Sequence, residues 1–310
     1  MAADPDSKMV FTIQEYLSGA CLPTFRRSTT RCLTTASRLR ALTWPEYPEL
    51  QRPHGARPLK EVERSPNIKF TALAEAYFSS LQPAELNASD YIDKECPLRL
   101  ASPRYVTYET DDVWFFKNID NEQMFVTLVQ DYVLNTVSES LRAIRRHALD
   151  SAEAAALRFQ NVSRLCTAHH ARWDIFALPG TPERQFPFFI FLVSPEEFGI
   201  QDMMDFTEPC WFENASGNKL NKPSDMYQTL WAVISDTCKG HGRFFAVTNY
   251  VQWTFGELSP AGTMAYTTYA FETTLMKSDG TSTTPLSLGF NTIQMLTFWI
   301  QHALKHSQVG

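Results

Sequence analysis

The stretch DIFALPGTPERQFPFFIFLVSPEEFG, residues 174–199, joins two apolar runs through a turn that contains Gly and Pro. The first run begins at Asp174, and the second, residues 186–193, carries no charge. Because successive side chains of a strand point to opposite faces of a sheet, an unbroken apolar run needs cover on both faces. The pattern therefore predicts that residues 186–193 form a central, buried strand in which Leu192 packs into the core.

Helical and extended patterns surround this pair of strands. The strongest helical pattern, residues 120–147, has Asp120 or Asn121 as its N-cap, Glu122 in its first turn and one apolar face. Further helices are predicted at 70–81, 151–159, 226–238 and 286–306, and further strands at 104–109, 112–117, 173–178, 243–249, 250–260 and 264–274. This order predicts an α/β fold with a mixed central sheet flanked by helices.

The N-terminal part of the chain has a different character. Residues 16–45 contain no acidic residue, and residues 43–69 are rich in Pro and charge. We expect residues 1–69 to form an irregular, partly helical extension, with a basic arm and a Pro-rich linker, and residues 70–310 to form the α/β domain. The arm suits either a nucleic-acid contact or a solvated extension, and its arginines are Arg26, Arg27, Arg31, Arg38 and Arg40.

The composition of the chain is typical of a globular protein with a large apolar core. The chain has 310 residues, of which 44% are hydrophobic and 20% charged, so it can bury a large core. Its net charge of −6 does not attract nucleic acid as a whole, and any such contact has to be local. The six cysteines form no CxxC pair and read as reduced thiols. No apolar leader or membrane-length run is present, so we expect an intracellular protein of the cytoplasm or nucleus, with mitochondrial targeting disfavoured by acidic residues near the N-terminus.

The order of elements resembles a known family. Helix 120–147, the strand pair DIFAL and FPFFIFLV, a helix containing Gln228 and then the run GRFFAVTNYVQWTFGEL look like the PD-(D/E)XK, or restriction-endonuclease-like, superfamily. The nearest likeness is to its divergent, uncharacterised fungal members, some of which lie beside kinase-like domains. The resemblance covers residues 120–305 and implies a nuclease-like α/β core.

The resemblance also implies where a metal site would lie. In active members, an aspartate at the start of one strand and a glutamate in the next bind Mg²⁺ or Mn²⁺, and a lysine two residues further on assists the attacking water. Asp174 matches the aspartate, but Leu192 stands at the glutamate position and Ser194 at the lysine position. The resemblance therefore implies a degenerate site and no resident cofactor.

Three functions remain open from the sequence. The first is a non-catalytic interaction module whose partner is a protein or nucleic acid, in an oligomeric state that the sequence leaves open. The second is a Mg²⁺- or Mn²⁺-dependent nuclease with relocated ligands, in which Glu122, Glu196 and Gln228 join Asp174 as catalytic residues. The third is a small-molecule enzyme of an unrecognised class, because fold alone does not settle function.

Overall fold

The computed structural model describes fourteen stretches of the chain, and every structural statement below concerns these stretches. They are residues 11–27, 59–81, 85–86, 102–103, 116–119, 122–146, 157–163, 173–178, 186–195, 198–212, 224–239, 241–273, 275–276 and 289–307.

The described residues contain seven α-helices, of which those at residues 13–19 and 200–206 were not predicted from the sequence. They are α1 (Ile13–Gly19), α2 (Asn67–Ser80), α3 (Glu122–Leu128), α4 (Asn135–Arg146), α5 (Ile200–Phe206), α6 (Asp225–Cys238) and α7 (Thr292–Ser307). A π-helical turn, Val129–Leu134, joins α3 to α4, so the predicted helix 120–147 is present with one wider turn inside it.

The strands lie in one large sheet and two small ones. They are β1 (Phe11–Thr12), β2 (Ala20–Arg27), β3 (Glu61–Arg64), β4 (Glu85–Leu86), β5 (Ser102–Pro103), β6 (Phe116–Ile119), β7 (Gln160–Asn161), β8 (Asp174–Leu178), β9 (Phe188–Leu192), β10 (Cys210–Trp211), β11 (Phe244–Thr248), β12 (Gln252–Leu258), β13 (Met264–Thr267), β14 (Phe271–Glu272) and β15 (Leu275–Met276). The large sheet has the order β10-β3-β13-β12-β11-β9-β8-β7, with β14 also paired to β12. Strand β2 pairs with β5, β6 and β15, and β1 pairs with β4.

The large sheet is mixed. Strand β9 is parallel to β11, and β3 is parallel to β13, whereas the other neighbours are antiparallel. Helices cover both of its faces, so the predicted class, α/β with a mixed central sheet flanked by helices, is confirmed. We call the face covered by α1, α2, α3, α4 and α7 the α7 face, and the face covered by α5 and α6 the α6 face.

Strand β9 contributes side chains to the apolar cores on both faces of the large sheet. Phe188, Ile190 and Leu192 lie in the core of the α7 face, whereas Phe189 and Phe191 lie in the core of the α6 face. All five residues are buried, and β9 is hydrogen-bonded to β8 on one side and β11 on the other. The prediction of a central, doubly covered strand is therefore confirmed.

The loop prediction for residues 61–64 was wrong. These residues form β3, which is inserted between β10 and β13 in the large sheet. Only Val62 of the four is buried completely, so the stretch has no apolar alternation to reveal it. Backbone hydrogen bonds hold its ends: the Lys60 N–H donates to the Thr263 carbonyl (2.8 Å), and the Ser65 N–H donates to the Thr267 carbonyl (2.7 Å).

The beginning of the predicted arm belongs to the core of the α7 face. Ile13, Tyr16 and Leu17 of α1 are at most 2% exposed and pack in the same apolar cluster as α7. Asn291, just before α7, donates from Nδ2 to the Leu17 carbonyl (2.6 Å) and to the Ser18 carbonyl (3.1 Å). Long-range contacts of this kind leave no local pattern, so the sequence did not reveal that residues 13–22 fold onto the domain.

Several other predicted elements have mixed outcomes. The last helix begins at Thr292 and not at residue 286, and the second hairpin strand is interrupted at 268–270, between β13 and β14. The strand predicted at 112–117 corresponds to β6 in its last two residues. The predicted strand 104–109 lies outside the described residues, as does most of the predicted helix 151–159, whose residues 157–159 are not helical.

Candidate functional site

Asp174, Leu192 and Thr248 lie side by side on the α7 face of the sheet. Asp174 opens β8 opposite Leu192, the last residue of β9, and Leu192 is in turn opposite Thr248, the last residue of β11. Because β9 and β11 are parallel, their carboxyl ends meet at this edge, which is where ligands bind in many α/β proteins. The implied metal site would lie on this row.

The carboxylate of Asp174 accepts hydrogen bonds from neutral donors. Asn161 Nδ2 donates to Asp174 Oδ1 (2.9 Å), and Ser163 Oγ lies 3.4 Å from the same oxygen. Ser163 Oγ donates to Asn161 Oδ1 (2.6 Å) and accepts from the Ile175 N–H (2.8 Å). The half-buried Asp174 side chain thus helps to fix the short edge strand β7 and the turn after it to the start of β8.

Leu192 packs into the apolar core although both of its cross-strand neighbours, Asp174 and Thr248, are polar. Its side chain is 3% exposed and belongs to the core of the α7 face, which also contains Phe176, Ile190 and Trp253. The expectation that Leu192 points into packing is confirmed. At the position where the resemblance implies a carboxylate ligand, directly opposite Asp174, the chain therefore has a packed leucine side chain.

A buried polar turn, residues 248–252, closes this edge between β11 and β12. Thr248 Oγ1 donates to the Gln252 carbonyl (2.8 Å) and accepts from the Tyr250 N–H (2.8 Å). Asn249 Oδ1 accepts from the Gln252 N–H (2.7 Å), and its Nδ2 donates to the Phe198 carbonyl (2.9 Å). These bonds give the turn one fixed conformation.

Tyr250 is the most unusual residue of the turn. It has a left-handed backbone, with φ of 72°, and its side chain is fully buried in the core of the α7 face. A non-glycine residue in this region is strained, and such strain is concentrated at functional or tightly determined positions. Burial, and to a smaller extent the nearby Tyr132, raises the pKa of the Tyr250 hydroxyl well above its usual range, so this hydroxyl is a neutral group at pH 7.

The π-helical turn brings polar groups to the same core. Tyr132 lies in this turn, and so does Asp131, which is 9% exposed. The apolar face predicted for helix 120–147 gave no sign of the wider turn or of the approach of Tyr132 to Tyr250. That approach depends on contacts between residues more than a hundred positions apart, which periodicity does not report.

The relocated catalytic set of Asp174, Glu122, Glu196 and Gln228 is only partly described. Gln228 lies in α6, which covers the α6 face, whereas Asp174 lies on the α7 face. Asp174 and the helix that carries Gln228 thus belong to opposite faces of the sheet, and the prediction that the two residues share a site stays a prediction. Glu122 is the first residue of α3, with a side chain outside the description, and Glu196 lies outside the described residues.

The arginine segment is only partly described. Arg26 and Arg27 end β2, where they pair with Asn118 and Ile119 of β6, and they therefore lie in a hydrogen-bonded strand. Arg31, Arg38 and Arg40 lie outside the described residues.

Two searches of the described stretches and three comparisons complete this picture. Among the described side chains, no three His, Cys, Asp or Glu residues are arranged to hold a metal ion. No helix in the same stretches has the length and apolar character needed to cross a membrane. Comparison with protein-family models finds no match for this chain, and comparisons with curated proteins and with solved structures find none either.

Proposed function

We propose that this chain is a non-catalytic interaction module built on a nuclease-like α/β core. The connectivity supports the nuclease-like part of the proposal. Helices α3 and α4 precede the antiparallel pair β8–β9, after which α6 leads into β11, parallel to β9. This is the order of elements on which the resemblance to the PD-(D/E)XK superfamily rests.

The cross-strand pairing of Asp174 with Leu192 is the observation that supports a non-catalytic function. A metal-dependent nuclease needs several hard oxygen ligands, because Mg²⁺ has to neutralise the phosphodiester and activate water. At the two facing positions this chain offers one carboxylate, which already accepts from Asn161 Nδ2, and one buried leucine. Asp174 acts here as a hydrogen-bond acceptor that ties β7 to β8.

Charge favours a protein over nucleic acid as the partner. The chain has a net charge of −6, which repels a polyanion at long range. Arg26 and Arg27, two of the five arginines of the basic segment, lie in a paired strand, not on a free arm. A protein partner with basic residues is therefore the better match.

The experiment that tests this function is thermal unfolding with about 5 mM Mg²⁺ or Mn²⁺. It compares the wild-type chain, Asp174→Asn and a control, Asp205→Asn, whose carboxylate is exposed on α5. We expect the three proteins to respond alike, with no ion-specific rise in Tm.

A relocated nuclease site gives a different result. An ion present at about ten times its dissociation constant stabilises the native state by about 1.4 kcal/mol, which raises Tm by a few degrees or less in a chain of this size. A rise in wild type that Asp174→Asn abolishes and Asp205→Asn retains contradicts the proposal. Cleavage of DNA or RNA by the wild-type protein, lost in Asp174→Asn, would then establish a metal-dependent nuclease.

A further inference from the structure

Exposed apolar side chains lie on the short helix α5 and at Tyr269, whose ring contacts the same arginine as α5. Ile200 is 55% exposed and Met204 is 49% exposed, and their i,i+4 spacing places them on the same side of the helix. Tyr269, in the interruption between β13 and β14, is 48% exposed. We call Ile200, Met204 and Tyr269 the Met204 surface.

Arg64 at the end of β3 joins the two parts of this surface. Its Nε donates to the Thr207 carbonyl (2.9 Å), and its Nη2 donates to the Met204 carbonyl (3.4 Å), so the guanidinium binds the carboxyl end of α5. The same guanidinium carbon lies 4.1 Å from the centre of the Tyr269 ring. Since these contacts fix both neighbours of Arg64, the Met204 backbone and the Tyr269 ring are both held against the guanidinium before any partner arrives.

The segment that carries Ile200 and Met204 is acidic. Residues 200–208 contain Asp202, Asp205 and Glu208 and no basic residue. Arg64 neutralises Glu208 through an ion pair of 2.7 Å, and the Arg64 side chain is only 12% exposed. Asp205 is exposed, and its Oδ1 accepts from Gln201 Nε2 (2.7 Å), so a carboxylate remains beside the apolar side chains.

We propose that the Met204 surface docks a basic amphipathic helix of a partner protein; this inference rests on the proposed function as an interaction module. Apolar residues of such a helix would cover Ile200, Met204 and Tyr269, and its lysines or arginines would approach Asp205 and the neighbouring acids. Tyr, Met and Arg are the residue types enriched in protein interfaces. A second copy of this chain is a poorer occupant, because a two-fold contact brings the same carboxylates together.

Binding of a labelled helical peptide tests the inference. The probe is a peptide of about 18 residues with Leu along one side and Lys elsewhere, and the matched peptide carries Glu in place of Lys. The protein variants are the double substitution Ile200→Ser with Met204→Ser, and the control Leu73→Ser. Leu73 is also exposed, at 51%, but it lies on α2, which covers the opposite face of the sheet.

We expect the full-length chain to bind the Lys peptide, with the dissociation constant raised at least about tenfold by the double variant and unchanged by Leu73→Ser. Asp205→Asn should weaken binding and reduce its dependence on salt. The exposed positions of the variants should leave Tm within about a degree of wild type, which keeps a loss of binding separate from unfolding.

Three outcomes would overturn the inference. One is equal binding of the Lys and Glu peptides, and another is equal weakening by Leu73→Ser. The third is a wild-type dimer in sedimentation that the double variant dissociates, since the occupant would then be a second copy. Each of these outcomes is independent of the Asp174 experiment. If the Met204 surface does not bind the peptide, the response of Tm to Mg²⁺ or Mn²⁺ is unchanged.

Discussion

Leu192→Glu places a carboxylate opposite Asp174, where the resemblance implies one, and therefore tests the central argument about this site. If Leu192 is packed as described, the new side chain enters the apolar core of the α7 face at a position that is 3% exposed. Burial and the facing carboxylate of Asp174 both favour the neutral form, so the pKa of the introduced carboxyl should rise above its usual value.

The expected loss of stability has two parts. Removing a buried leucine forfeits about 1.5–3 kcal/mol of apolar burial. Burying a carboxyl group without a matched partner costs a further ~1–3 kcal/mol on the scale of protein mutations. The sum of about 3–6 kcal/mol is a large share of the usual ~5–15 kcal/mol of stability.

The loss should also depend on pH. A carboxyl whose folded pKa is raised binds its proton more tightly in the folded state, so the unfolded state binds fewer protons and stability falls as pH rises above about 4.3. The assay is urea unfolding near pH 5 and near pH 8, followed by tryptophan fluorescence. Leu192→Met is the size-matched control, with an expected cost below about 1.5 kcal/mol, and Leu192→Gln separates the charge from the shape.

The reasoning fails on either of two results. One is a Leu192→Glu protein that is as stable near pH 8 as Leu192→Met, because such a protein has no buried carboxyl at this position. The other is a rise of several degrees in Tm on adding Mn²⁺ to Leu192→Glu but not to Leu192→Gln. That result would show an open, metal-competent cleft in which Leu192 is the only missing part.

Two further predictions concern the same sheet. Gly256→Ala should destabilise the fold by about 1–3 kcal/mol in urea unfolding, because a Cβ would lie 2.8 Å from both Phe245 Cε2 and the Tyr266 carbonyl oxygen. Its control, Gly199→Ala, meets only an ordinary contact of 3.5 Å to Asp202 and should cost less than about 1 kcal/mol, and equal losses would contradict the packing argument. The second prediction concerns pH: burial first, and then neighbouring cations, lower the pKa of His302 to about 4; these cations are His306, Arg243 and Lys305. Because the folded state resists protonation of His302, stability should fall as pH drops from about 6.5 to about 4, by roughly 1 kcal/mol after solvent screening. His302→Gln should flatten that part of the pH profile, and an unchanged profile would refute the assignment.

The local pattern of apolar residues was sufficient to predict the central strand and the helices α4 and α6. The apolar run 186–193 predicted a doubly covered strand because each of its faces is apolar by itself. Helices α4 and α6 were recognisable for the same reason, since their buried residues recur at helical spacing. The prediction that Leu192 is packed followed from this pattern with no knowledge of its neighbours.

Features built from distant contacts could not be predicted in this way. Strand β3 has a single fully buried residue, and its place in the sheet is set by backbone bonds to residues two hundred positions away. The left-handed Tyr250 depends on side-chain bonds within its turn and on the Phe198 carbonyl, which Asn249 binds. The contact of Arg64 with Tyr269 likewise joins β3 to a sheet interruption that has no sequence signature.

The surroundings of Asp174 explain an acidic residue at this position without catalysis. Its Oδ1 accepts from Asn161 Nδ2, and Ser163 bridges Asn161 to the Ile175 N–H, so one carboxylate organises the join between β7 and β8. An asparagine can still offer Oδ1 as an acceptor, but it carries no charge for a cation. Asp174→Asn therefore keeps the acceptor while removing the metal-binding character. If Asp174 is structural, this variant should lose less stability than Asp174→Ala, which removes the acceptor as well and should cost about 1–3 kcal/mol.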